Sequence, residues 1–237
     1  DRAIEFIRRA GDDRWCLHLS YIKPHWPYVV SAPYHDMYAG EEMPAPNRTE
    51  AELQTTHPVI RALQRSRIGK AMSRPETRQL VLPTYLGLVK QIDDHLGRLF
   101  GELERLGRLE DTLIVFTSDH GEYMGDHWMG EKDWINEEVV RVPMIIVDPR
   151  SGADVTRGTT SNELVEAIDL LPTFVEALGG ENETRKQWLE GESLLPVLHG
   201  ERGTRREFVV CEADWGFLEM ANHLGKTNEP RRRRATM

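Results

Sequence analysis

Residues 112–134, "TLIVFTSDHGEYMGDHWMGEKDW", join an apolar run to a cluster of polar side chains. The run at 112–118 is continuous and rich in β-branched residues, a pattern typical of a strand buried on both faces, as in a parallel sheet. It ends at Asp119, His120 and Gly121, and Lys132 follows. The stretch therefore predicts a buried strand with polar chemistry at its carboxyl end.

That chemistry favours a site for a metal and an anion. Ligands of open α/β sheets bind beyond the carboxyl ends of the strands. A carboxylate and an imidazole, here Asp119 and His120, suit a divalent metal. Lys132 offers a point charge for an anionic oxygen, and Gly121 lets the backbone turn and approach a ligand closely. From the spacing of these residues alone, a helix cap beside a hydrogen-bonded imidazole is the preferred interpretation.

Other apolar runs indicate further strands of the same sheet. "VPMIIVD" at 142–148 resembles the first run, "WCLHLSY" at 15–21 alternates, and "EFVVCEA" at 207–213 is a last short strand. Helical patterns lie between the strands. This alternation predicts an α/β fold, with a mixed, mostly parallel sheet sandwiched by helices.

Three helices are expected with defined ends. The longest runs from Pro75 to Leu106 and carries one apolar stripe, composed of Tyr85, Leu88, Val89, Ile92, Leu96, Leu99 and Leu103. A first helix closes at Gly11, and a late one begins at Asp169 and ends at Gly179. Asp93, Asp94 and His95 on the long helix resemble a metal cluster, but a solvated helix face is the preferred interpretation.

A second polar set follows segment 15–21. Lys23, His25 and Tyr28 lie in a loop that three prolines keep irregular. His25 is a candidate site residue, with a loop-capping role as the alternative. His127 has a weaker case, and Asp126 is a candidate acceptor for the second nitrogen of a ligating imidazole.

Composition excludes several classes of protein. The 237 residues carry a formal charge of −9, which argues against a general nucleic-acid surface. The basic run Arg231–Arg234 is read as a solvated tail rather than a nucleic-acid arm. No apolar run approaches the roughly 18 residues of a membrane helix. Cys16 and Cys211 form no metal-spaced pair or disulfide framework and are expected to be buried free thiols.

The motifs in combination resemble the sulfatase branch of the alkaline phosphatase superfamily. The similarity rests on "TLIVFTSDHGEYMGDHWMGEK", "VRVPMIIVDP", "AIDLLPTFVEALGG" and "LHLSYIKPHWPY", and it extends over essentially the whole chain. Within that branch the chain looks most like bacterial phosphonate monoester hydrolases and their arylsulfatase relatives. The resemblance implies an alkaline phosphatase-like fold.

The resemblance also implies a role for each of four residues. Asp119 and His120 match a pair of metal ligands. Lys132 matches the lysine that holds the sulfuryl or phosphoryl oxygens, and His25 matches the histidine that contacts the transferred group, a candidate general acid. One divalent metal is expected, manganese or calcium first, with zinc and iron as alternatives.

The family's nucleophile is not found in this chain. Such enzymes carry a Cys-x-Pro-x-Arg or Ser-x-Pro-x-Arg motif whose first residue becomes formylglycine, and neither Cys16 nor Cys211 stands in one. We therefore expect residues 1–237 to be the carboxyl-terminal part of one catalytic domain. The amino-terminal half, with the nucleophile, would be missing, and a small carboxyl-terminal sheet would be cut short at "RRRRATM". This chain alone is expected to be inactive.

The predicted function is hydrolysis of sulfate esters or of phosphonate and phosphate esters. The alternatives are a phosphodiesterase or phosphomutase-like relative with an unmodified nucleophile, and a non-catalytic binding homologue. The expected partner is a small anionic ester, with no nucleic acid and no membrane. A cytoplasmic location is favoured, and a homo-oligomer of the full-length protein is left open.

Overall fold

The computed structural model describes residues 1–180, 189–201 and 206–212. The basic run Arg231–Arg234, and with it the expected start of a small terminal sheet, lies outside these residues. By contacts the chain divides into two units, which we describe separately. The first contains Asp1–Leu109 and His120–Arg141, and the second contains Glu110–Asp119 and Val142–Glu212.

The first unit is built on one long helix. Helix α1 spans Arg2–Ala10, and short helices follow at Glu52–Thr55 (α2), Pro58–Gln64 (α3) and Arg67–Met72 (α4), before α5 at Pro75–Arg105 and α6 at Glu137–Val140. At 31 residues α5 is about 46 Å long. Its predicted bounds are confirmed to within one residue, and the end of α1 at Gly11, which has a φ of 53°, is confirmed too.

The predicted apolar stripe of α5 packs inward except at Val89, which is 42% exposed. Leu88, Leu99 and Leu103 are buried. Helix α1 joins α5 through a two-pronged ion pair, in which Arg8 Nε and Nη2 donate to the Glu102 carboxylate at 2.8 and 3.1 Å. None of the helices in the described ranges is long and apolar enough to cross a bilayer.

The second unit holds the paired strands. Strand β1 (Ile114–Thr117) pairs antiparallel with β2 (Met144–Val147), with Ile114 opposite Val147 and Thr117 opposite Met144. Both lie within the predicted apolar runs. The expectation that both faces are buried is wrong for these strands, because Ile145 is 58% exposed. Successive side chains of a strand point to opposite faces, and the alternation of half-buried and exposed residues along β2 shows that only one of its faces is covered.

The strands predicted at 15–21 and 207–213 are not formed in the described residues, where both segments run without a strand partner. In segment 15–21, Trp15, Leu17 and Leu19 are half-buried and the residues between them are exposed. The alternation of covered and exposed side chains that is typical of a strand is therefore present, although the segment pairs with no strand. Cys16 and Cys211 are exposed. The prediction of buried thiols is therefore wrong, because a strand buries both faces only when neighbouring elements cover them.

Asp169 organises the second half of this unit. Helix α7 (Leu170–Ala177) and helix α8 (Leu195–Leu198) follow β2. The Asp169 side chain is fully buried and accepts from the amides of Glu166 and Glu192 at 2.7 and 2.9 Å. The same carboxylate accepts hydrogen bonds from Arg206 Nη1 and Nη2 at 2.7 and 2.9 Å. The predicted cap residue thus ties three segments together rather than capping α7 with its side chain.

We expect Asp169→Asn to destabilise the 237-residue chain by roughly 3–5 kcal/mol, because it leaves the Arg206 guanidinium without its buried charge partner. Urea unfolding at neutral pH measures this. The matched control is Asp154→Asn, which breaks the exposed Asp154–Arg157 pair and should cost about 0–1 kcal/mol. Equal losses in the two variants would contradict the prediction.

The same variant has an expected pH dependence. Burial acts to raise the pKa of Asp169, but the Arg206 guanidinium and the two amides outweigh it and hold the pKa below its ordinary value. A depressed carboxyl pKa stabilises the fold fully above the unfolded-state pKa, and this stabilisation is lost as the pH falls through the folded-state pKa. The difference in free energy of unfolding between wild type and Asp169→Asn should therefore become smaller as the pH falls into the acidic range.

Candidate functional site

The segment from His120 to Arg141 folds back on itself in the first unit. Gly121 N donates to Val139 O at 2.7 Å, Glu122 N donates to Glu138 O at 3.0 Å, and Tyr123 N donates to Glu131 O at 3.0 Å. A Cβ on Gly121 would lie 2.0 Å from Glu138 O. The predicted close approach at Gly121 is therefore made to a neighbouring carbonyl, which no other residue type would allow.

Buried side chains hold this folded-back segment in place. Tyr123, Met129 and Val139 form a core cluster, against which Trp134 packs. Tyr123 Oη donates to Asn136 Oδ1 at 2.8 Å. The backbone that carries His120 and Lys132 is thereby anchored at both ends.

His25 and Lys132 meet although 107 residues separate them. The Lys132 ammonium donates to His25 Nε2. His25 lies in the irregular loop after segment 15–21, and its ring is 5.9 Å, centroid to centroid, from the ring of His120 in an edge-on arrangement. The structure thus brings together three of the four predicted site residues.

Hydrogen bonds define the tautomer of each imidazole. His25 Nδ1 lies 2.8 Å from Trp26 O, and His120 Nδ1 lies 2.8 Å from Gly121 O. A carbonyl only accepts, so Nδ1 carries the proton in both rings. The neutral form of each ring then has its lone pair on Nε2. His25 uses this lone pair to accept from Lys132, and in His120 it has the form that ligates a metal.

The fourth residue, Asp119, ends the β1 segment of the second unit and is exposed. It directly precedes His120 in the chain. The two candidate metal ligands are therefore neighbours: a carboxylate and an imidazole whose Nε2 carries no proton. Their chemistry fits a divalent cation. Over the described ranges, no group of three or more His, Cys, Asp or Glu side chains is arranged to hold one.

Asp126 has a different role from the predicted one. The acceptor for His120 Nδ1 is the Gly121 carbonyl. Asp126 Oδ1 instead accepts from Asn47 N at 2.8 Å. His127 Nε2 lies 3.2 Å from a Glu138 oxygen. His127 N also donates to Asn47 O at 2.9 Å, so Asp126 and His127 both attach the 40–58 excursion to the fold-back.

Asp93, Asp94 and His95 lie on the surface of helix α5, in agreement with the preferred interpretation of the sequence. Asp94 accepts from Lys90 Nζ at 2.5 Å and from Tyr34 Oη at 2.7 Å. His95 stacks near Tyr21, with 6.3 Å between ring centroids. These side chains serve packing and ion pairing.

Sequence reasoning missed Glu122. This side chain is half-buried, and its Oε2 accepts from Tyr28 Oη at 3.1 Å. Burial raises the pKa of Glu122, with the Tyr28 hydroxyl and the Lys132 charge among the groups that oppose the rise. Burial and the same carboxylate raise the pKa of Tyr28. A glutamate beside a glycine in a polar loop gives no sequence signal of burial, so only the three-dimensional structure reveals it.

Comparison with known proteins gives consistent relatives. A family model described as Sulfatase matches residues 1–180. The multifunctional alkaline phosphatase superfamily protein PehA of Trinickia caryophylli is 40% identical over 212 residues, which are 84% of this chain and 40% of that protein. An arylsulfatase of Clostridium perfringens is 29% identical, over 94% of this chain and 45% of its own length.

Solved structures agree with these relatives. Phosphonate monoester hydrolase SpPMH from Silicibacter pomeroyi superposes with a TM-score of 0.78 at 32% identity, over 90% of this chain and 43% of that one. The predicted α/β, alkaline phosphatase-like fold class is confirmed by this likeness. The chain spans less than half the length of each of these three relatives.

Proposed function

Because the chain belongs to the sulfatase family, we propose that it is part of a hydrolase of sulfate esters or of phosphonate and phosphate esters. The observation that supports this most is the meeting of Lys132, His25 and His120 in one unit. A cationic ammonium beside two imidazoles suits an anionic ester. In this proposal the chain belongs to a longer protein, called the full-length parent below.

The nucleophile is proposed to lie outside this chain. The chain spans 40% to 45% of the three relatives described above, and neither Cys16 nor Cys211 stands in a Cys-x-Pro-x-Arg motif. We propose a formylglycine, formed from a Cys or Ser in the remaining sequence. Mass spectrometry of the parent's motif peptide tests this assignment.

The residues of this chain would neutralise negative charge on the ester and supply a proton to the leaving group. Lys132 would bind the equatorial oxygens of the transferred group, where negative charge is concentrated. His25 would stand at the ester oxygen that departs. Asp119 and His120 would hold a divalent metal, which sulfatase-family members generally use. The bound metal would supply further neutralisation of the same oxygens.

The testing experiment is an assay of the purified full-length parent with metal analysis. An aryl sulfate, a phosphonate monoester and a phosphodiester are the three substrates, and manganese, calcium, zinc and iron are quantified in the same preparation. Turnover of a sulfate or phosphonate ester supports the proposal. Turnover of the phosphodiester alone would favour the phosphodiesterase alternative, and no turnover of any ester would favour a binding homologue.

Two further expectations are carried with this proposal. The partner is a small anionic ester rather than nucleic acid or a membrane, in keeping with the formal charge of −9. The cytoplasmic location stays a prediction that rests on the absence of a disulfide framework in the sequence. The homo-oligomeric state of the parent is left to direct measurement.

A further inference from the structure

Glu122 is a half-buried carboxylate without a role in the proposed chemistry. One oxygen, Oε2, accepts from Tyr28 Oη at 3.1 Å. The other, Oε1, is buried and makes no hydrogen bond of standard geometry among the described residues, although the backbone amides of Tyr123 and Glu131 lie near enough to lower the pKa of this carboxyl. Burying a carboxylate costs free energy unless its partners compensate. The hydrogen bond from Tyr28 offsets part of this cost, so it stabilises the position of the Glu122 side chain.

Tyr28 lies three residues after His25 and holds that loop to the protein body. Its ring meets Tyr85 of α5 edge-on, with 6.3 Å between centroids, and packs on the core cluster of Met72, Leu82 and Met124. The loop that carries His25 has no helix or strand of its own. Its placement therefore depends on side-chain anchors such as this one.

Glu122 is fixed from the opposite side. Its backbone amide donates to Glu138 O at 3.0 Å, next to the Gly121–Val139 bond. It belongs to the same fold-back as Lys132, whose positive charge acts to lower the pKa of the Glu122 carboxyl. The Tyr28–Glu122 hydrogen bond consequently links the segment of His25 to the segment of Lys132 across 94 positions of sequence.

We propose that Glu122, acting through the Tyr28 hydroxyl, is a positioning residue that keeps His25 Nε2 opposite Lys132 Nζ. This inference rests on the proposed function for its catalytic consequence but not for its geometry. Neither Glu122 nor Tyr28 touches the reacting ester in this scheme. Their contribution is to fix the distance between two groups that do.

The test uses Tyr28→Phe, Glu122→Leu and Glu122→Gln in the full-length parent. Tyr28→Phe keeps the ring packing and removes the donor, and Glu122→Leu removes the acceptor at similar size. Both should lower kcat by roughly 10- to 100-fold with a smaller change in KM, the scale for lost orientation of an active group. Glu122→Gln retains an amide oxygen that accepts from Tyr28, so its kcat should stay closer to wild type than that of Glu122→Leu.

Tyr34→Phe is the matched control. Tyr34 lies in the same loop and also donates to a carboxylate, Asp94 on α5, at 2.7 Å. It makes no link to the fold-back of Lys132 through this bond, so its loss should leave kcat unchanged even if the melting temperature falls. An equal loss of kcat in Tyr34→Phe and Tyr28→Phe, or unchanged kcat in Tyr28→Phe, would overturn the positioning role.

Crystal structures of the parent and its Tyr28→Phe variant supply a readout that does not depend on turnover. The proposal expects the His25 Nε2–Lys132 Nζ contact in the parent and its loss in the variant. Retention of the contact in the variant overturns the proposal whatever the activity. A parent that hydrolyses none of the esters, yet loses the contact in Tyr28→Phe, would contradict the proposed function while supporting the positioning link.

Discussion

Replacing His25 by alanine in the full-length parent is expected to lower kcat by roughly 10²–10⁴-fold for esters of poorly departing alcohols, the range for general acid–base catalysis. A departing alkoxide needs a proton in the transition state, and His25 is the imidazole beside Lys132. An activated nitrophenol leaves without help, so its hydrolysis should be largely spared. The loss should therefore depend on the leaving group.

The tautomer of His25 sharpens this expectation. Its Nδ1 proton is committed to Trp26 O, and its Nε2 accepts from the Lys132 ammonium. In this arrangement the proton between the two groups belongs to lysine, so His25 can deliver a proton from Nε2 only after gaining one. The proton held by Lys132 is the one nearest to that atom.

The deciding measurement is the slope of log kcat/KM against leaving-group pKa in wild type and His25→Ala. A steeper negative slope in the variant supports proton donation through His25. Parallel lines would mean that His25 only positions the transferred group, and the general acid would then be Lys132 or a residue outside this chain. His35→Ala is the control, because His35 lies in the same loop but is exposed and pairs with Asp36.

Replacing Lys132 by alanine should lower kcat/KM by about 10²-fold or more, the scale for losing one preorganised electrostatic contact. An ammonium that holds anionic oxygens does so in both the ground state and the transition state. KM should therefore rise as kcat falls, in contrast to the kcat-dominated loss in His25→Ala. Steady-state kinetics on one aryl sulfate and one phosphonate monoester measure both terms.

Two further variants make the Lys132 result specific. Lys70→Ala removes an exposed lysine of helix α4 and should leave kcat/KM unchanged. The double variant of His25 and Lys132 should lose less than the product of the two single losses, because the groups contact each other and act as a unit. Full activity in Lys132→Ala would remove this residue from the proposed chemistry.

The candidate site could be predicted in part from the sequence. Asp119, His120 and Lys132 follow one apolar run, and their residue types suggest metal and anion chemistry. The loop motif "KPHWPY" and the family resemblance point to His25. Glu122 has no such signal, because residue type alone does not tell whether a glutamate in a polar loop is solvated or enclosed by the fold.

The helical backbone of α1 and α5 was determined by the sequence itself. Apolar residues spaced three and four apart bury one face of a helix, and this spacing predicts a helix from Pro75 to Leu106, where α5 is found at Pro75–Arg105. The positive φ values of Gly11 and Gly107, 53° and 67°, occur where glycine ends a helix. Such features depend on neighbours within a few residues, so they are readable along the chain.

Pairing between distant segments was decided only by the tertiary structure. Periodicity states which face of a segment is apolar, but not which segment covers it, so the antiparallel partner of β1 and the exposure of Cys16 were not predictable. For the same reason, the Lys132–His25 and Glu122–Tyr28 contacts have no signature in either segment alone. Each exists because the packing of α5 and the fold-back brings side chains from remote positions within hydrogen-bonding distance.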